Sequence, residues 1–323
     1  MSLKNLARFL FITSLFSAAH LFGFEANLNQ SCHSLKQQYD KKIESLFHKY
    51  QSFNSNLVLQ ENRPSFYCGH LDEAVYILHG FIGTPEEMSK IATSLKRAGY
   101  TVLNDIIPGH GSGAETANAF KETYWQSFVT QNINQLRKTY KKIHFIGFST
   151  GALLVHNYLY ENKSNFSAQS VVLYSPFYKP AQAFIDVLNA CLNNIIPTFS
   201  IKKLYALTRF REVEVALLKT ENYQNYLPLL AAEEVVNLGH KVSTKLEQKA
   251  RLKINTKVLV FLSMSDSLVQ YSDSIALIKN SFKLPEFVIY DSEEVPHHLM
   301  VNEVSPVADQ VRQQSLAFIK NLN

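Results

Sequence analysis

Residues 142–156, Lys-Ile-His-Phe-Ile-Gly-Phe-Ser-Thr-Gly-Ala-Leu-Leu-Val-His, constrain the fold more than any other stretch. Ile143 to Phe148 is a short apolar run of the buried-strand kind, and Ala152 to Tyr160 recurs apolar at helical spacing. Gly147, Ser149 and Gly151 therefore fall at a strand-to-helix turn. A Gly-x-Ser-x-Gly in that setting predicts a nucleophile elbow. The reason is steric. So tight a turn strains the central serine and crowds the positions two residues either side, where any Cβ would clash. It lifts the Ser149 hydroxyl clear of the sheet and puts the Thr150 amide at a helix start, where an oxyanion is stabilised. An ordinary glycine-lined turn is the competing reading, and the flanking strand and helix favour the elbow.

A chain of 323 residues, 46% hydrophobic and 18% charged, can bury a core as one large domain or one domain with an insertion. The net charge of +5 is mild and no Lys/Arg block stands out, which disfavours nucleic acid as a partner. No Cys-x-x-Cys, His-Glu-x-x-His or glycine-rich cofactor fingerprint occurs, so neither metal nor cofactor is expected. The chemistry has to come from side chains.

Lys4 and Arg8 precede the apolar run Phe9–Phe16, and Ser17-Ala18-Ala19 offers the small residues a signal peptidase reads. Residues 1–19 are therefore expected to be an export signal, giving a periplasmic or secreted protein. An uncleaved membrane anchor is the alternative, because weak apolar character continues through Leu21–Phe24. His20 and Glu25 interrupt that run, which is short for a spanning helix. Export makes Cys32–Cys68 the expected bridge and leaves Cys191 free, although spacing alone does not decide the pairing.

Residues 20–70 read as an N-terminal helix and an edge hairpin. Within the helix, Ser34 to Tyr50, Leu35, Tyr39, Ile43, Leu46 and Phe47 share one side; the hairpin comprises Leu57–Leu59 and Ser65–Tyr67. Residues 71–176 alternate strand and helix. Ala74–Leu78 runs into His79-Gly80-Phe81-Ile82-Gly83-Thr84-Pro85, and a helix follows to Arg97. That glycine-bearing loop lets backbone amides face a ligand, with Phe81 expected to supply one. A Cys32–Cys68 bridge would pin the N-terminal helix to the strand leading into it. Tyr100–Ile107 ends in Pro108-Gly109-His110-Gly111, where His110 reads as structural. The helix Lys121–Lys141, the elbow and the strand Gln169–Ser175 complete this half.

Residues 177–255 read as a helical cap insertion over the sheet's end, with helices at Ala181–Leu192, Ile201–Leu218, Leu229–Leu238 and Thr244–Leu252 and no strand between them. Its basic residues Lys202, Lys203, Arg209 and Arg211 are followed by Glu212 and Glu214. A solvated mixed face is preferred there over a membrane-contacting patch. Residues 256–323 return to the core pattern: Lys257–Leu262 leads to Asp266, Glu286–Tyr290 leads to His297 and His298, and Val304–Leu322 is a closing helix. This rhythm predicts an α/β architecture, a mostly parallel sheet covered by helices on both faces.

A serine hydroxyl is a poor nucleophile unless a base takes its proton, and an imidazole base needs a carboxylate to hold its tautomer. Strand ends carrying a carboxylate and then a histidine follow Ser149 in the order Ser, Asp, His. The strand directly after the elbow ends in Ser175-Pro176, so Asp266 has little competition as the acid. Capping the next helix is its bland alternative.

With these residues in view, the chain resembles the α/β-hydrolase superfamily, nearest its carboxylesterase and monoacylglycerol-lipase-like (lysophospholipase-type) branch. The matching marks are His79-Gly80-Phe81-x-Gly83-Thr84-Pro85, Pro108-Gly109-His110-Gly111, Gly147-Phe148-Ser149-Thr150-Gly151, Ser265-Asp266-x-x-Val269 and His298. They occur in the family's order from about Leu71 onward. The resemblance implies an α/β-hydrolase fold with Ser149 as nucleophile, Asp266 as acid, His298 as base, and the amides of Phe81 and Thr150 as the oxyanion hole. Relatives carry an acidic residue five positions after the catalytic histidine. Glu303 has that spacing from His298, whereas Asn302 would serve from His297, and this selects His298.

Thr150 stands where many relatives carry Met or Gln, and Ala152 where many carry a third glycine. The expected partner is a small acyl ester, an acylglycerol, lysophospholipid or similar, cleaved through an acyl-Ser149 intermediate. Phe177, Phe184, Leu188, Ile195, Ile196 and Phe199 of the cap would line an acyl pocket or serve as core. The alternatives are an amide or peptide hydrolase with the same triad, and a catalytically silent binding protein. The complete set of three side chains argues against the second.

Overall fold

Seven strands form one sheet in the order β1-β3-β2-β4-β5-β8-β9. The computed structural model describes residues 3–53, 58, 60–181, 185–186, 189, 198–200, 226–248, 253–302 and 304–321. The strands are β1 (Ser65–Tyr67), β2 (Glu73–Leu78), β3 (Thr101–Asp105), β4 (Lys142–Phe148), β5 (Ser170–Tyr174), β8 (Ile254–Ser263) and β9 (Phe282–Tyr290). All neighbours run parallel except β1, which pairs antiparallel with β3 at the edge. Parallel neighbours need crossovers, and helices supply them. These are α2 (Ser89–Arg97), α3 (Ala114–Asn118) and α4 (Glu122–Thr139), α5 (Thr150–Asn162), α6 (Leu229–Glu247) and α7 (Tyr271–Ser281). The helix α8 (Ala308–Lys320) closes the chain.

The continuous apolar runs have a simple cause. In β2, Ala74, Tyr76 and Leu78 join one core and Val75 and Ile77 the other; β5 and β8 alternate in the same way. Because side chains alternate at period two, a strand buried on both faces must be apolar at every position. The first core lies under α4, α5, α6, α7 and an N-terminal helix α1 (Leu3–Gln51), the second under α2 and α8. The expected α/β sheet covered on both faces is the fold observed.

The helix α1 spans Leu3–Gln51, longer than the expected packing segment. Leu35, Tyr39, Ile43, Leu46 and Tyr50 are buried along it, the face anticipated from their spacing, and Phe47 is partly buried. Tyr39 donates to Asp105 at 2.5 Å, and Tyr76 and Asn132 donate to the same carboxyl group. Burial pushes the Asp105 pKa up, and these hydrogen bonds oppose that shift. Cys32 and Cys68 form a disulfide across a separation of 36 residues. A crosslink of that span contributes roughly 3–4 kcal/mol, mainly by restricting the unfolded chain. It ties α1 beside edge strand β1, not directly to β2 as expected. Cys191 lies outside the described residues. Among the described residues, no helix is long and apolar enough to cross a membrane.

Several boundaries differ from expectation. Of the anticipated edge hairpin only β1 is seen, paired with β3; Leu57 and Leu59 lie outside the described residues. β9 begins at Phe282 rather than Glu286, with Pro285 inside it. A proline reads as a strand breaker, but an outermost strand tolerates it. The expectation of an all-helical cap is corrected by a short antiparallel ribbon, β6 (Thr198–Ser200) with β7 (Tyr226–Pro228). Thr198, Phe199 and Tyr226 are β-prone, yet three-residue strands acquire meaning only through a distant partner. The two expected helices from Leu229 onward are one, α6. Gly239 does not break it but allows close approach, since a Cβ there would sit 2.6 Å from the Tyr178 carbonyl oxygen.

α6 packs on the core through its apolar face, and two ion pairs join it to the start of α4. Lys121 pairs with Glu234 at 2.8 Å, and Lys241 pairs with Glu122. The expected cap helices at 181–192 and 201–218 fall largely outside the described residues. So do Lys202, Lys203, Arg209 and Arg211, and the side chains of Phe184, Leu188, Ile195, Ile196 and Phe199.

Candidate active site

Parallel pairing brings the carboxyl ends of β2, β4, β5, β8 and β9 to one edge of the sheet, where ligands of open α/β folds bind. Leu78 lies opposite Gly147, Phe148 opposite Tyr174, and Ser263 opposite Tyr290. The loop after β2, the elbow after β4 and the loops after β8 and β9 therefore share that edge.

Ser149 sits between β4 and α5 with φ 51° and ψ −113°. A non-glycine residue at positive φ is strained and persists only when its surroundings hold it. Here the Ser149 amide donates to the Tyr174 carbonyl at 2.9 Å, and its carbonyl accepts from Leu153 and Phe177. A Cβ on Gly147 would meet the Ala152 backbone at 2.5 Å, and one on Gly151 would meet the Leu78 carbonyl oxygen at 2.3 Å. The first contact shows how tight the elbow is. The second shows that the elbow is seated against the start of the His79–Thr84 loop, bringing the Thr150 and Phe81 segments together.

Asp266 and His297 complete a hydrogen-bond chain to the serine. His297 Nδ1 lies 2.6 Å from Asp266 Oδ2, and His297 Nε2 lies 2.9 Å from Ser149 Oγ. An ionised carboxylate only accepts, so Nδ1 carries the proton and Nε2 accepts from the Ser149 hydroxyl. The other Asp266 oxygen accepts from the amides of Leu268 and Val269 at 2.9 and 3.0 Å. The capping and the imidazole-holding readings of Asp266 both apply, one to each oxygen. Ser263 ties the two loops together, donating to the Val295 carbonyl at 2.6 Å, two residues before His297.

The expectation for His298 is corrected. It is buried, with its ring edge-on to Phe148 at 5.5 Å and nearly perpendicular to His297 at 5.4 Å. Adjacent residues on a turn project in different directions, so only one imidazole of the pair reaches Ser149. Residue spacing carries no direction, so the distance to Glu303 along the chain does not show which ring faces Ser149. Counted from His297, the fifth residue is Asn302. It donates to Asp309 at 2.6 Å and accepts from Lys90 and Arg312, each at 3.1 Å. An amide linking the loop to α2 and α8 thus stands where an acidic residue was expected. Glu303 lies outside the described residues.

The loop carrying Phe81 is gripped at its amino end. The Ile107 amide donates to His79 Nε2 at 2.9 Å, which leaves the proton on Nδ1, and Nδ1 donates to the Gly80 carbonyl at 2.7 Å. The Gly80 carbonyl and Phe81 amide belong to one peptide plane, so holding the oxygen aims the N–H. Burial, with His110 beside it, keeps the His79 pKa well below the usual imidazole range, and that tautomer stays neutral. The Gly80 amide donates to the Glu87 carboxylate in the turn that follows the loop. Ile82, a β-branched residue, is held at φ 58°. His110 packs beneath Phe81 and Trp125, hydrogen-bonds the Ile107 carbonyl, and is pushed by burial down to about 4. Its structural reading agrees with these contacts.

No group of three or more His, Cys, Asp or Glu suited to a metal occurs among the described residues. A groove of about 390 Å³ between α1 and α4, lined by Leu35, Tyr39, Lys42 and Asn132 among others, contains no candidate site residue.

A mostly parallel sheet with a serine at a strained elbow and a histidine and aspartate from later strand ends is the arrangement of an α/β hydrolase. The profile of the Hydrolase_4 family, described as serine aminopeptidase, S33, matches residues 69–304, and the chain belongs to that family. A thermostable monoacylglycerol lipase of Bacillus sp. (strain H-257) is 32% identical over 89 residues, 28% of this chain. The match spans only 36% of that relative's length. Among solved structures, one from a study of LipS and LipT, two metagenome-derived lipolytic enzymes, has a TM-score of 0.65 at 19% identity. It covers 82% of this chain and 99% of that one. A monoacylglycerol lipase of Paleococcus ferrophilus has a TM-score of 0.60 at 15% identity, over 80% and 98% of the two chains. A soluble variant of the Saccharomyces cerevisiae monoglyceride lipase has a TM-score of 0.59 at 15% identity, over 80% and 91%. At these identities the likeness establishes the fold alone.

Proposed function

We propose that the protein hydrolyses carboxylic esters of acylglycerol type through an acyl-Ser149 intermediate. The observation that carries this reading is the hydrogen-bond chain Asp266–His297–Ser149. His297 Nε2 takes the hydroxyl proton as Ser149 Oγ attacks the ester carbonyl. The oxyanion forms against the amides of Phe81 and Thr150, the latter in the first turn of α5 where the helix dipole is positive. The imidazolium, stabilised by Asp266, gives its proton to the departing alkoxide, and water then releases the acid by the same steps in reverse.

The names of the relatives support acylglycerols as the substrate class. The family's own description supports a second reading, hydrolysis of an amide bond by the same groups. The test is a fluorophosphonate probe followed by peptide mapping, then turnover of monoacylglycerols, p-nitrophenyl esters and aminoacyl amides. Adduct formation on Ser149 and turnover of the esters are expected. An unreactive Ser149 would refute the reading, and turnover of aminoacyl amides alone would favour the second one.

The segment Lys4 to Ala19 supports a further proposal, export with cleavage after Ala19 into a compartment that permits the Cys32–Cys68 bridge. Intact-mass analysis of protein from its native cell fraction should show loss of residues 1–19 and two thiols oxidised. A full-length cytosolic protein with free thiols would refute it, and a full-length protein in the membrane fraction would favour the anchor.

A further inference from the structure

The family match begins at residue 69, yet residues before it reach the loops of the candidate site. Thr84 closes the Phe81 loop and stands at the N-cap of the short turn Pro85–Met88, but its side chain makes no cap hydrogen bond. A threonine there ordinarily accepts from the first helical amides. Instead its hydroxyl donates to Asn62 Oδ1 at 2.9 Å, with both residues buried. Asn62 and Thr84 also pack on Gly111, whose Cβ, were there one, would lie within 4 Å of both side chains. Tyr50 of α1 acts on the same second loop, its hydroxyl accepting from the Gly109 amide at 2.5 Å. That loop places His110 against the Phe81 ring. The extension carrying Tyr50 and Asn62 is itself anchored by the disulfide, the Tyr39–Asp105 bond and the Arg63–Glu44 pair.

We propose that Asn62 is a positioning residue for the oxyanion loop. His79 and Glu87 hold the loop's amino end, and Asn62, through Thr84, holds its carboxyl end. Ile82 at positive φ lies between them, and a strained residue of this kind keeps its conformation only when both flanks are fixed. Releasing Thr84 lets the strain relax and turns the Phe81 amide away from the developing oxyanion. This inference rests on the serine-hydrolase reading.

The test compares Asn62→Leu, Thr84→Val and the double variant on a p-nitrophenyl ester, with active sites counted by fluorophosphonate titration and Tm measured alongside. Counting active sites removes the effect of a smaller folded fraction. Each single variant should lower kcat per titrated site by about three- to tenfold with KM changed less than about twofold. The double variant should be no worse than the more impaired single, because both changes break the Asn62–Thr84 bond. Thr84→Val carries the test alone if Asn62→Leu does not fold. Singles within about twofold of wild type, or losses that multiply in the double variant, would overturn the inference while a reactive wild type leaves the hydrolase reading standing. A wild type that neither labels nor turns over would overturn both.

Discussion

Replacing Ser149 with alanine is expected to lower ester turnover by about a thousandfold or more while leaving the fold intact. The loss is large because Oγ is the reacting atom and the hydroxyl bonded to His297 Nε2. The fold should survive because the elbow is held by backbone groups. The Ser149 amide is bonded to Tyr174, and its carbonyl to Leu153 and Phe177, and none of these contacts uses the hydroxyl. Gly147 and Gly151 keep the close approaches that set the turn. The variant leaves His297 Nε2 without its donor, a cost of about 1 kcal/mol that a domain of this size absorbs. Turnover of a p-nitrophenyl ester by purified Ser149→Ala, with unchanged circular dichroism, checks both halves. A rate at or above about a tenth of wild type would remove Ser149 from the nucleophile's role.

The two adjacent histidines should behave very differently. His297→Ala is expected to cost about a thousandfold or more in kcat, since it removes the proton acceptor from Ser149 and leaves Asp266 without its partner. His298→Ala removes a ring packed on Phe148 and His297 but no bond to Ser149, so a loss within about tenfold, with some fall in Tm, is expected. Assaying both variants per folded molecule separates the roles. An inactive His298 variant beside an active His297 variant would reverse the assignment drawn from the geometry. Comparable severe losses in both would show that the loop, rather than one imidazole, had been damaged.

These two expectations mark where residue patterns suffice and where they do not. The elbow is legible because its cause is local: three residues within five positions must satisfy one steric demand, and the run before and the period after show which elements flank it. The strands are legible for a similar reason, since burial on both faces leaves an unbroken apolar run. Asp266 is legible because the competing strand end carries no carboxylate. The choice between His297 and His298 is not, because it depends on the course of the chain from Val295 to Val301. Glu87 reads as an ordinary acidic helix start until the fold sets its carboxylate against the Gly80 amide.

The α/β alternation and the turn that presents Ser149 are legible along the chain because short-range sterics and periodic burial set them, and the order Ser, Asp, His is read there directly. Only the tertiary fold settles which imidazole meets Ser149, and it forms the expected Cys32–Cys68 bridge. It also decided that β6 finds β7 and that Asn62 closes on Thr84. Each of these is a contact between residues set by the direction of a turn or by packing across the sheet, and neither direction nor packing leaves a periodic trace in the chain.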